Sequence, residues 1–153
     1  MSKKPIFKIF LFLLFGILII FLFLFLENKK EEKYFLKINS IQIELEIART
    51  PQQHYQGLSF RESLDDNSGM IFLFPDKEIR KFVMRDMLMS IDIIFIDDNE
   101  IVDIHKNLPF DLESQEIIYS SSVPVDKVLE LKAGFSDQYN LSVGDKLELI
   151  KNN

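Results

Sequence analysis

The chain contains no cysteine and no tryptophan, and only five glycines and five prolines among 153 residues. Without cysteine there is no disulfide, no thiolate nucleophile, no thiolate metal site and no cysteine to lipidate. The five glycines stand apart from one another, so no glycine-rich loop exists to cradle a phosphate. Histidine is limited to His54 and His105, too far apart in sequence to form a metal-spaced pair. Positive charge is also scarce beyond residue 26, where 15 basic residues face 24 acidic ones, a net charge of −9. Nothing there would neutralise a run of nucleic-acid phosphates, so nucleic acid is excluded as a partner.

What is present divides into two compositional parts. Residues 1–26 hold three lysines, no acid and seven of the 15 phenylalanines. From Ile9 to Leu26 there are 18 positions without a charge or a polar side chain. Extended back to Ile6, the run would form a helix of about 31 Å, the thickness of a bilayer core. A cleaved signal peptide has a shorter apolar stretch that ends at small residues. Here the run passes through Phe25 and Leu26 into Glu27, Asn28 and Lys29. The expectation is an uncleaved membrane anchor over 1–26, a charged linker over 27–33 and a single domain over 34–153. Lys3, Lys4 and Lys8 precede the run, and Lys29, Lys30 and Lys33 follow it with Glu27, Glu31 and Glu32 interspersed. The short, purely basic N-terminal flank favours a single-pass protein with a cytoplasmic N-terminus and an extracytoplasmic domain.

In the domain, Ile41, Ile43, Leu45 and Ile47 alternate with Gln42, Glu44 and Glu46, the period of a half-buried strand that would extend back to Tyr34 across Asn39-Ser40. Thr50-Pro51-Gln52-Gln53 reads as a capping box with proline at the first helical position, and Gly57 stands where a short helix would end. Met70 to Phe74 is an apolar run stopped by Pro75, hence a buried strand. Ile91–Ile96 and Glu100–His105 form a hairpin in which Asn99 is able to take the left-handed conformation. Residues 107–126 look irregular. Val128–Leu131 and a final strand from Gly144-Asp145 to Ile150 complete about seven short strands with one or two short helices. The fold class is therefore α+β, mainly β, either a small sheet or a partly closed barrel.

Charges set inside apolar runs are the informative ones. Asp92 lies between Ile91 and Ile93, and Glu130 between Leu129 and Leu131. Either both face water, or they enter a cleft and need cations, for which Arg61 and Arg85 are the candidates. Met84, Met87 and Met89 read as core fillers rather than copper ligands. Asp97-Asp98-Asn99-Glu100 lacks the alternation of a calcium loop and reads as a turn. No metal or cofactor is implied. Lys77, Arg80, Lys81 and Arg85 are interleaved with Asp76, Glu78 and Asp86, as on a solvated edge strand.

The order of several pieces resembles the DUF192 (UPF0127) family. They are Gly57-Leu58-Ser59-Phe60-Arg61, Gly69-Met70-Ile71-Phe72, Phe82-Val83-Met84-Arg85-Asp86 and Ile91-Asp92-Ile93-Ile94-Phe95-Ile96-Asp97. Val128-Leu129-Glu130-Leu131-Lys132-Ala133-Gly134 and Gly144-Asp145 follow. The resemblance spans about residues 38–150 and implies a compact β-rich domain, often behind a signal or anchor, with no established activity. The family pattern would have methionine at Ser59, tryptophan at Val83, lysine at Arg85, asparagine at Asp86 and threonine at Met87. Arg61, Met84, Asp92 and Glu130 match it, and Arg85 keeps the charge. These five are the residues carried forward as a small-ligand site. Arg61 is expected beside Asp92 or Glu130. The functional expectation is a membrane-tethered binding or accessory domain without catalysis of its own and with a small polar ligand. Protein partners are undefined by the sequence. The alternative is a hydrolase using Asp92 and Glu130.

Overall fold

A computed structural model of the chain describes residues 13–21, 32–110 and 117–152. The chain divides into two compact units, Met1–Glu32 and Lys33–Asn153. In the first, residues 13–21 form helix α1, and the large apolar side chains from Leu13 to Phe21 are exposed. No helix among the described residues is long and apolar enough to cross a membrane. The rest of the span expected over residues 6–26 lies outside the described residues.

The described residues of the second unit form nine strands and two short helices. In chain order they are β1 (Lys33–Ile38), β2 (Ile41–Ala48), α2 (Pro51–Gln56), β3 (Ser68–Glu78) and β4 (Lys81–Val83). Then come β5 (Ile91–Asp97), β6 (Glu100–Leu108), β7 (Ile118–Ser120), β8 (Val125–Lys132), α3 (Phe135–Gln138) and β9 (Leu147–Asn152). Seven strands form one mixed sheet in the order β6-β5-β8-β3-β2-β1-β9, and β4 with β7 forms a second, two-stranded sheet. The expected class, mainly-β α+β, therefore holds. The barrel alternative does not, because the large sheet is open. Its two edges are not joined along their length. Among the described residues they meet at the start of β6, through the isolated bridge between Glu100 and Lys146 and backbone hydrogen bonds of Asn99 and Ile101 to the segment entering β9.

Several elements differ from the sequence reading for local reasons. The first strand is in fact a hairpin, β1 against β2, because Asn39 adopts the left-handed conformation at φ 54°. In the β5–β6 hairpin the left-handed residue is Asp98 at φ 51°, not Asn99. β3 continues through Pro75, and its pairing with β8 breaks register between Leu73 and Glu78, where proline cannot donate to the ladder. The helix signals read correctly. Thr50 accepts from the Gln53 amide and the Gln53 side chain accepts from the Thr50 amide, closing the capping box.

Pairing of β2 with β3 is parallel, so the chain must cross over the sheet between them, and α2 with the segment after it supplies that crossover. The central strands consequently bury both faces. On one face Ile71, Ile94, Ile96, Leu129 and Leu131 pack with Leu36, Ile43 and Phe135. On the other, Met70, Phe72, Ile93, Phe95 and Val128 pack with Leu58, Leu64 and Met84. Strand β5 is buried throughout Ile91–Ile96, which explains why it reads as a continuous apolar run rather than an alternating one.

Candidate functional site

Register decides where the two embedded acids go. Asp92 pairs with Leu131, and Ile93 pairs with Glu130, across β5 and β8. Side chains alternate along a strand, so Asp92 shares a face with Ile94 and Ile96, whereas Glu130 shares one with Val128. The two carboxylates point to opposite faces of the sheet. Glu46, Met70, Glu130 and Ile93 form one transverse row across β2, β3, β8 and β5.

Asp92 is fully buried and fully employed. It accepts backbone hydrogen bonds from Asn107 (2.8 Å), Gly134 (3.2 Å) and Ser136 (2.8 Å), tying β5 to the end of β6 and to the start of α3. It is a structural clamp, and it does not line the cleft described below.

Glu130 is also buried, at 6 % exposure, but its Oε2 has no hydrogen-bond partner among the described residues. Loss of solvent pushes the carboxyl up to about 8, with the charge of Arg61 pulling weakly in the opposite direction. Near neutral pH this side chain is therefore largely an uncharged carboxylic acid, able to donate one hydrogen bond. Gly69 allows this placement. A Cβ there would lie 2.9 Å from the Glu130 carbonyl and 2.6 Å from Leu131, so only glycine lets β3 run this close to β8.

Above Glu130 lies a cleft of about 390 Å³ between α2 with its following turn and the β3–β4 region. Its walls are aromatic. Phe72 meets Phe82 edge to face at 4.9 Å, and His54 lies 4.5 Å from Phe74, its Nε2 3.0 Å from the Ala48 carbonyl. Gly57, at φ 50° and ψ −134°, turns the chain out of α2 beside the acid; a Cβ there would lie 3.6 Å from Glu130 Oε2. The rim is basic. Arg85 stacks 3.8 Å over Tyr55 and donates to the Tyr55 carbonyl at 2.6 Å. Arg80 covers Phe74 at 4.0 Å and pairs with Asp76 and Glu78. Lys81 is exposed and makes no ion pair among the described residues.

Of the five residues expected at a site, the cleft contains Arg85 and Glu130. Met84 is buried among Met87, Met89 and Phe72 as core filler. Asp92 is on the other face. Arg61 is not paired with either acid. Its Nη1 and Nη2 donate to the two oxygens of Glu46, the second at 2.7 Å, and this holds Glu46 below the usual carboxylate range. The guanidinium reaches Glu130 only as a longer-range charge. His54, Tyr55, Phe72, Phe82 and Lys81 were missed as lining residues. The interleaved stretch from Lys77 to Arg85 carried a usable signal in Phe82, an aromatic among cations. The Asp97, Asp98 and Asp126 oxygens also cluster, but Lys77 sits 2.6 Å from Asp97 and 2.9 Å from Asp98, and Lys127 lies 2.6 Å from Asp126. Ammonium groups already meet that negative charge.

Residues 34–149 match the model of DUF192, described as "Uncharacterized ACR, COG1430". The chain belongs to the DUF192 family. A crystal structure from Sinorhizobium meliloti, described as a candidate transcription regulator, is 33% identical with a TM-score of 0.69, covering 76% of this chain and 92% of that one. A Novosphingobium aromaticivorans protein of unknown function is 30% identical with a TM-score of 0.67, covering 76% of this chain and 83% of that one. No curated protein matches the chain. Membership in DUF192 thus accounts for the fold and assigns no activity.

Proposed function

We propose that this DUF192 protein is a membrane-tethered, extracytoplasmic domain that binds a small polar ligand in the cleft above Glu130, without catalysis of its own. One observation carries the reading: a buried carboxyl with an unpartnered oxygen forms the floor of an aromatic-walled cleft. An unmet buried polar group costs about 1–3 kcal/mol, and a ligand that meets it recovers that cost. The cleft volume is within the range of small-molecule sites. The 18-residue apolar run before Glu27 supports the tether, and the purely basic flank ahead of it supports export of the domain.

The hydrolase alternative loses its acid–base pair, since Asp92 and Glu130 lie on opposite sides of the sheet. The regulator description of the S. meliloti relative is not carried over, because the region after residue 26 is strongly acidic. The test is a thermal denaturation screen of the detergent-solubilised chain, followed by circular dichroism, against small organic acids, amines and neutral compounds. Binding to the folded state raises the midpoint by mass action. A screen in which no class of compound raises it contradicts the reading.

A further inference from the structure

Three features of the cleft constrain what it accepts. The rim carries Arg80, Lys81 and Arg85, and the side chains of Arg80 and Arg85 are held against Phe74 and Tyr55. Lys81 alone of the three is without an ion pair among the described residues, so its charge is available to an incoming group. The walls offer phenyl faces and edges from Phe72, Phe74 and Phe82 to a flat apolar body. The floor offers the Glu130 carboxyl, whose buried Oε2 has no hydrogen-bond partner among the described residues.

Resting on the ligand-binding reading above, we infer that the ligand is a small organic acid with a flat apolar body. Its carboxylate sits at the Lys81 and Arg85 rim, and an oxygen acceptor at its inner end takes a hydrogen bond from the unpartnered Glu130 carboxyl on the floor. A cationic ligand fits poorly, because entry would bring it past the Lys81 ammonium, which no acid among the described residues compensates. The inner acceptor follows from the state of the floor, since a neutral carboxylic acid with a free oxygen presents a donor. Binding is then proton-linked, because an ionised Glu130 offers no donor and repels the ligand's oxygen. The groups facing Glu130 are His54 and Tyr55 from α2, Arg61 from the following segment, Arg80 from the turn before β4, and Lys81 and Arg85 from β4 and its end. Glu46 lies beyond Met70 in the same transverse row, with its charge matched by Arg61. Met70 and Ile93, its neighbours in that row, carry no titrating group.

Two matched probes test this on the full chain in detergent by isothermal titration calorimetry. The first is 4-acetylbenzoate; the second is 4-acetyl-N,N,N-trimethylanilinium, with the same acetyl acceptor and the opposite charge. The inference predicts that the benzoate binds more tightly at pH 7.5. With Glu130 titrating at about 8, the binding-competent fraction falls about 25-fold between pH 7.5 and 9.5, and the apparent affinity falls with it. In Glu130→Gln, whose amide cannot ionise, that ratio collapses to within about twofold. Tighter binding of the cation, or a pH-independent affinity in the wild-type chain, overturns the inference while leaving a ligand cleft in place. Binding of neither probe also overturns it, and the broad thermal screen then decides separately whether the cleft binds small molecules at all.

Discussion

Asp92 and Glu130 make a natural pair for comparison. They are buried acids on neighbouring strands, each flanked in sequence by two apolar residues, and their backbones sit one register step apart. Asp92 accepts three backbone N–H groups and so remains satisfied in the interior. Glu130 accepts none among the described residues, and its carboxyl is pushed up to about 8 by burial. The contrast shows that burial of a charge does not by itself mark a functional group. Partners do. A buried acid whose lone pairs are met by the fold holds the fold together, while one whose lone pairs are left open next to a cleft is held ready for something outside it.

The largest effect should come from removing the satisfied acid. Asp92→Ala removes the acceptor of three backbone donors, of which the Ser136 amide is buried and those of Asn107 and Gly134 are partly buried, so a loss of about 3–5 kcal/mol is expected in urea denaturation. That is enough to unfold a domain of ordinary stability. The unsatisfied acid should behave oppositely. Its folded carboxyl lies above the 4.5 of the free side chain, so the stability it contributes is intact below about pH 4.5 and is lost as pH rises through about 8. Glu130→Gln removes that titration. By pH 9 the variant should be more stable than the wild-type chain by on the order of 4 kcal/mol, with little difference at pH 4. A Glu130→Gln chain that is less stable at pH 9 would break the comparison.

Smaller changes sharpen it. Gly57→Ala places a Cβ at a φ of 50° and a ψ of −134°, 3.4 Å from Phe72 and 3.6 Å from Glu130 Oε2. The backbone strain should cost about 2 kcal/mol of stability, seen as a lowered thermal midpoint. The smallest effect belongs to Arg61→Ala. Its pair with Glu46 is substantially exposed, so denaturation should register about 0–1 kcal/mol. An effect of several kcal/mol there would show that Arg61 supports Glu130 more directly than its pairing with Glu46 indicates.

Much of this was legible in the sequence, and what was not has a common cause. The capping box at Thr50, the hairpin joining β5 to β6 and the two embedded acids are local features, set by residues within a few positions of one another. The opposite orientation of Asp92 and Glu130 depends on the register between β5 and β8, strands separated by two others in the chain. A shift of one residue would have put both acids on one face. Arg61 finding Glu46 depends likewise on the parallel pairing of β2 with β3, which no short-range signal specifies. Asn39-Ser40 was visible as a pair of turn residues, yet the alternation on either side was continuous enough to hide the hairpin. The cleft is the least local feature of all. Its walls come from α2, β3, β4 and the turn after α2, and only the folded chain brings Lys81 and Phe82 over Glu130.

The central claim is that Glu130 lacks the partners that satisfy Asp92 and is therefore protonated at neutral pH. A carbon-13 NMR titration of the Glu130 side-chain carboxyl in the full chain, assigned by comparison with Glu130→Gln, tests it most directly. The account predicts a midpoint of about 8. A midpoint near 4.5, the value of a free glutamate side chain, would contradict it.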